Sequence, residues 1–176
     1  MSHSFMIDPG QPEPNVGIAG RAVDLQEAIQ MCFPMDTCDA RVQWGDVSIP
    51  LSYKYDLGII LDDIVGLMES CLEGRPVDVR FGSDTFSASW SIRPLGDSVA
   101  VESNWYSVVG DTEVQLNRMA VQEIPKRYFL EQWCAVLRTM VVGVDSAGVA
   151  IQDRRLLETI KELIRRVERN GPVLCD

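Results

Sequence analysis

Between Val77 and Ile124 the chain reads VDVRFGSDTFSASWSIRPLGDSVAVESNWYSVVGDTEVQLNRMAVQEI. These are four runs of alternating apolar and polar residues broken at Gly82-Ser83-Asp84, Pro94-Leu95-Gly96-Asp97 and Gly110-Asp111. Successive side chains of a strand point to opposite faces, so such runs joined by short glycine-containing turns predict an antiparallel four-strand meander. One face would hold Val77, Val79 and Phe81, then Phe86, Ala88, Trp90 and Ile92, then Val99, Val101 and Trp105, then Val114 and Leu116. The other would show Ser87, Ser89, Ser91, Arg93, Glu102, Asn104, Tyr106, Glu113, Gln115 and Asn117. The phase breaks between Leu116 and Met119, where Arg118 would turn inward, and a β-bulge is expected there.

A sheet with one apolar face needs a cover, and the flanking sequence supplies helices. Asp24 followed by Glu27 forms a capping box ahead of Leu25, Ala28, Ile29 and Cys32, a short helix ended by Pro34. Val42 and Trp44, then Val47, Ile49 and Leu51, flank Gly45-Asp46 as a hairpin, and Pro50 pushes its second arm to a sheet edge. Leu57 to Glu73 is the most apolar helix. Asp62, Asp63, Gly66, Glu69, Ser70 and Glu73 share its polar arc, Ile59 falls among them, Asp56 is its expected N-cap and Gly74 its stop. Pro125 opens a helix expected to end near Gly143, and Ile151 to Asn170 places Leu156, Leu157, Ile160, Leu163, Ile164 and Val167 on one stripe. Gly171-Pro172 ends that last helix.

The order is helix, hairpin, helix, four strands, two helices, which is the pattern of an α+β fold with an antiparallel sheet, the four-strand meander plus the N-terminal hairpin, and helices packed mainly on one face. Residues 1–20, rich in Pro and Gly, are expected to form an irregular arm ahead of a single domain over 21–176. A chain of 176 residues with 46% hydrophobic and 24% charged content carries one real core.

Charge narrows the partners. There are 26 acidic and 16 basic residues, a net of -10. Residues 1–80 hold 13 acids and 5 bases, a net of -8, while 124–176 hold 7 and 9, a net of +2. Phosphate neutralisation needs clustered Lys and Arg, so no nucleic-acid binding is expected, and an acidic front suits a basic protein partner. The opening MSHSFMIDPGQPEPNVG has neither a basic start nor a continuous apolar run. A secretory signal is therefore not expected, a cytoplasmic location is, and no apolar run approaches a membrane span. Cys32, Cys38, Cys71, Cys134 and Cys175 are odd in number and lack a CxxC pair, the usage of a reducing compartment.

Chemistry is sparse. His3 is the one histidine and falls in the arm, so His-dependent nucleophiles, general bases and metal sites have no support. The glycine loops lack the following helix and lysine of a phosphate cradle. Cys71 and Cys134 lie on apolar helix stripes, and Cys32 with Cys38 bracket a loop without further ligands nearby. All four tryptophans are expected in the core, Trp44 with least support because it sits beside a turn. No cofactor or metal is expected. Two surfaces are left as candidate binding residues: the acidic stripe Asp56, Asp62, Asp63, Glu69 and Glu73, and the polar sheet face with Arg93, Glu102, Asn104 and Tyr106. Each also reads as an ordinary solvated face, and Asp62, Asp63 and Glu102 would be the carboxylates of a small enzyme.

The run LSYKYDLGIILDDIVGLMESCLEG leading into VDVRFGSDTFSASWSIRPLGDSVAVESNW, within about Val42 to Trp105, resembles the immunity proteins of bacterial polymorphic-toxin, contact-dependent and type VI competition systems. That resemblance implies a non-enzymatic cytoplasmic inhibitor that binds and blocks one cognate toxin domain, a basic one on charge grounds, as a monomer or homodimer. A second reading is a dimeric secretion chaperone; a third is the small carboxylate-dependent enzyme.

Overall fold

The fold comes from a computed structural model, which describes residues 5–169. Three of the four expected strands form where the alternation places them: β5 (Val77–Gly82), β6 (Phe86–Leu95) and β7 (Ser98–Val108). Val79 pairs with Trp90 and Ile92 with Val101, which puts the apolar residues on one face. Gly96 takes φ 60° as the first residue of the two-residue turn between Leu95 and Ser98, a conformation that favours glycine.

The fourth strand is displaced. Residues Glu113–Arg118 form a short helix, α3, and the strand that completes the sheet, β8, is Val121–Pro125, with Gln122 and Ile124 inward. Gly110 and Asp111, both at positive φ, turn the chain away from the sheet before α3 begins. Leu116 is then buried and Val114 exposed, the outcome of helical rather than strand spacing. No bulge lies at Leu116–Met119, since that segment is helix and its C-cap. The register shift instead falls in the β6–β7 pair, where Ala88 faces Trp105 and Ser87 faces Ser107, leaving Tyr106 as the extra residue.

The hairpin of β3 (Ala40–Trp44) and β4 (Val47–Leu51) does not join the meander. It forms a second sheet in the order β1 (Phe5–Asp8), β3, β4, with Pro50 on an edge strand as expected. Its third member corrects the expectation of a wholly irregular arm. Phe5–Asp8 is strand β1, with Phe5 opposite Trp44 and Ile7 opposite Val42, and with Phe5 and Ile7 buried. Four residues of alternation are too few to stand out among the prolines and glycines that follow. A third sheet is the short parallel pair β2 (Arg21–Ala22) and β9 (Ala150–Ile151). The four-strand and three-strand sheets are antiparallel, and the class is α+β.

The helices are α1 (Leu25–Cys32), α2 (Gly58–Leu72), α4 (Lys126–Ala147) and α5 (Arg155–Arg169) besides α3. The Asp24 carboxylate accepts the Glu27 N–H at 2.9 Å, and the Glu27 carboxylate returns a bond to the Val23 N–H at 2.6 Å, so the expected capping box forms one residue wider than the standard pattern. Helix α4 starts at Lys126, one residue later than expected, because Pro125 ends β8 and stands as the N-cap with ψ 124°; the helix then passes Gly143 and is capped by Gly148, which adopts φ 75°. Gly143 is needed for packing: a Cβ there would stand 2.5 Å from Cζ of Phe33. Helix α5 begins at Arg155 rather than Ile151, because Ile151 is committed to β9.

The core lies between the two larger sheets, closed by α2 and α4. Trp44 packs 5.2 Å from Trp90 and 5.6 Å from Trp105, Phe5 5.3 Å from Phe129, and Trp90 6.2 Å from Trp133, ring centre to ring centre. All four tryptophans are buried. The Trp44 indole N–H reaches the Met119 carbonyl at 2.8 Å, which explains how a residue beside a turn stays in the core.

Candidate functional site

Among the described residues, no element covers the outer face of the four-stranded sheet. Asp78 and Arg80 of β5, Arg93 of β6, Glu102, Asn104 and Tyr106 of β7, and Val121 and Glu123 of β8 are all exposed. Asp78, Ser91, Glu102 and Val121 form one cross-strand row, and Arg80, Ser89 and Asn104 the next. The bulge in β7 presents Tyr106 on this face: its hydroxyl is 2.9 Å from Ser89 Oγ and its ring lies under the Arg80 guanidinium at 5.7 Å. The Ser89 bond, with smaller help from Asn104 and Arg80, draws the Tyr106 hydroxyl below its ordinary pKa.

One row along, Arg93 meets the Asp78 carboxylate at 3.0 Å and Ser91 donates to it at 2.5 Å. The Ser91 bond and then Arg93 hold Asp78 below the usual carboxylate range. Sequence reasoning missed Asp78 and Arg80, although their alternation with Val77, Val79 and Phe81 marks them as outward. Glu113 and Asn117, expected on this face, belong to α3 and bind the edge of β7. Glu113 accepts the Val108 N–H at 2.8 Å, and Asn117 takes both the N–H (2.8 Å) and the carbonyl (3.0 Å) of Trp105, as a neighbouring strand would.

The acidic stripe of α2 is narrower than its sequence implies. Asp62 and Glu73 are exposed, Asp63 and Glu69 half-buried, and Ser70 is buried. Desolvation and then the neighbouring Asp62 raise the Asp63 pKa. Glu73 is drawn aside to Arg75 at 2.6 Å. Asp62 opens onto a depression shared with Asp24, Asp153 and Arg155, whereas Glu102 belongs to one on the sheet with Asp78, Ser89 and Asn104. The carboxylates of a small enzyme therefore do not share these depressions.

Asp56 departs most from expectation. It is neither the N-cap of α2 nor part of an exposed stripe, and it is only 2% exposed. The residues before α2, Tyr53–Leu57, are wound as a π-turn in which the Leu57 N–H bonds the Ser52 carbonyl at 2.8 Å. The wider turn rotates Asp56 inward. Its carboxylate accepts Ser83 Oγ at 2.6 Å, Thr85 Oγ1 at 2.5 Å and the Ser52 N–H at 2.8 Å, joining this turn to the loop between β5 and β6.

Beside it lies a cleft of about 430 Å³ at the common end of the two large sheets, bordered by Asp39, Ser52, Asp56, Asp84 and Thr85. Asp39 accepts the Tyr53 N–H at 2.9 Å. Desolvation, with a smaller push from Asp56, raises its pKa. Nothing in the sequence pattern brings Asp39 and Asp56 together; that depends on the π-turn.

Cys32 is buried, where desolvation lifts its thiol to about 11, and Cys38 is exposed. Cys71 and Cys134 are buried as their helix stripes imply. Among the described residues there is no group of three His, Cys, Asp or Glu placed to hold a metal ion, and no helix is long and apolar enough to cross a membrane. His3, Cys175 and the expected stop at Gly171-Pro172 lie outside the described residues. No family model, curated protein or solved structure matches the chain.

Proposed function

We propose that this chain is a non-enzymatic binding protein that docks a folded protein partner on the outer face of its four-stranded sheet, acting as an immunity protein that occludes a cognate toxin domain. The observation that carries the reading is the uncovered sheet face itself: a row of side chains held in place by one another, centred on Tyr106 and Arg80. Tyr and Arg are the residue types that most often anchor interfaces, and both are already oriented here, so little side-chain freedom is lost on docking. Preorganisation comes from the Ser89 and Asn104 neighbours of Tyr106 and from the rigid hydrogen-bonded ladder beneath.

The net charge of -10 favours a basic partner by steering the encounter, and the cytoplasmic setting of such an inhibitor belongs to the same proposal. Co-expression with the protein encoded by the neighbouring gene tests it. The two should co-purify, the chain should rescue cells from that protein's toxicity, and Glu102→Arg on the sheet face should abolish rescue while leaving the chain folded. Absence of both co-purification and rescue with the wild-type chain contradicts it.

A further inference from the structure

The cleft bordered by Asp39 and Asp56 combines a floor of carboxylates with an apolar rim. Four large hydrophobic side chains stand around it unburied: Met35 (69% exposed), Tyr55 (48%), Ile59 (49%) and Val109 (50%). They come from three segments, Tyr55 and Ile59 from the π-turn and the start of α2, Met35 from the loop after α1 and Val109 from just after β7, so no single helix or strand accounts for their gathering, and clustered exposed apolar groups mark contact surfaces. The floor is anionic and has no basic side chain along its border. Asp56 is satisfied by two hydroxyls and one amide, Asp39 by the Tyr53 amide and the Ser52 hydroxyl, and among the described residues neither makes an ion pair. Lys54, the nearest lysine in the chain, is turned away to the Gln30 and Phe33 carbonyls at 2.9 and 3.3 Å, where it caps α1.

We propose that this cleft receives one Lys or Arg side chain of the protein partner, its aliphatic stem against Met35, Tyr55 and Ile59 and its charged head toward Asp39 and Asp56. A long basic side chain is the occupant whose chemistry matches both parts: it buries an apolar stem while its head keeps polar company. A carboxylate or phosphate would meet uncompensated negative charge, and a purely apolar side chain would leave the floor carboxylates less hydrated and unpaired. An Arg head would meet the half-buried Asp39 and the exposed Asp84 at the cleft surface, while the buried Asp56 adds its charge from behind. This inference rests on the protein-binding reading above and adds a second contact at the end of the sheet.

The probe is an acetylated Gly-Arg-Gly amide titrated into the full chain and followed by amide NMR, with the citrulline analogue, of the same shape but uncharged, as control. The backbone amides of Ser52, Tyr55, Thr85 and Val109 should shift and saturate with the arginine peptide. Citrulline should bind about tenfold more weakly. Asp39→Asn, which keeps an acceptor for the Tyr53 N–H, should weaken the arginine peptide to a similar degree, and the exposed rim change Ile59→Ser should weaken both peptides. Unshifted cleft amides, or equal binding of arginine and citrulline, would overturn the inference. Either result would leave the sheet-face reading standing, because that reading is tested by loss of partner binding on substitution of Glu102 or Tyr106.

Discussion

The outer sheet face and the cleft at its end are built from the same materials, aspartates and hydroxyls with one or two aromatics, yet they handle charge in opposite ways. On the sheet, Asp78 has Arg93, and Tyr106 has Arg80 and Ser89, so each polar group is held below its ordinary pKa by neighbours that favour its charged form. In the cleft, Asp39 and Asp56 have only neutral donors, and Asp39 is pushed up by desolvation and by Asp56. A surface whose charges are already paired offers shape and oriented hydrogen bonds, while a recess whose charges are unpaired offers a place for a cation. The difference arises from backbone geometry: strand alternation spreads Asp78, Arg80 and Arg93 over an open face, and the π-turn folds Asp56 back against a loop.

The largest expected separation between the two regions is in stability. Asp56→Ala removes the acceptor of the buried Ser83 hydroxyl, the exposed Thr85 hydroxyl and the Ser52 N–H, and the loss should cost about 3 kcal/mol in a urea melt. Asp78→Ala, on the exposed face, should leave the midpoint almost unmoved. Equal losses at both positions would erase the contrast.

Next in size is Gly143→Ala. The added methyl meets Phe33, which is buried and stacked 4.9 Å from Tyr53, and overpacking of this kind should cost about 1–3 kcal/mol. Since Tyr53 also donates its N–H to Asp39, NMR shifts should appear at the cleft and not at Asn104 or Tyr106. Uniform shifts over both regions would show that the cleft is not mechanically separate from the sheet.

The smallest effects are in pH dependence, and their signs differ. The pKa of Asp39 is raised in the fold above 3.8, so its favourable contribution is complete below that pH and is lost as pH rises through the raised value. Asp39→Asn should therefore gain stability relative to the wild-type chain between acid and neutral pH. The pKa of Asp78 is lowered, so its contribution is present above 3.8 and lost as pH falls through the lowered value. Asp78→Asn should be the less stable chain at neutral pH, with the gap closing on acidification. Urea midpoints measured across the acid range would test both, and slopes of the same sign would contradict the opposed charge environments.

What could be read in the sequence followed periodicity. Trp90 and Ile92 in β6, Val99 and Val101 in β7, the Asp24–Glu27 capping box and the stripe of α5 each repeat a spacing over enough residues to fix a face. Shorter signals failed in both directions. Val114 and Leu116 share a face only in a strand, but two residues are too short a run to fix one, and the turn at Gly110-Asp111 decided for helix. Phe5 and Ile7 were too brief an alternation to identify β1. The bulge at Tyr106 did leave a trace, since Trp105 and Val108 share the inner face only if one residue between them is extra. Asp56 was out of reach, because helical phase extended backward through a π-turn points the side chain to the wrong side.

The most direct test is calorimetry between this chain and the protein encoded beside it, with wild-type chain and Tyr106→Ala. Stoichiometric binding by the wild type, weakened more than about tenfold by Tyr106→Ala with an unchanged melting curve, is the predicted result. No binding by the wild-type chain, or equal affinity of the two, would contradict docking on the sheet face.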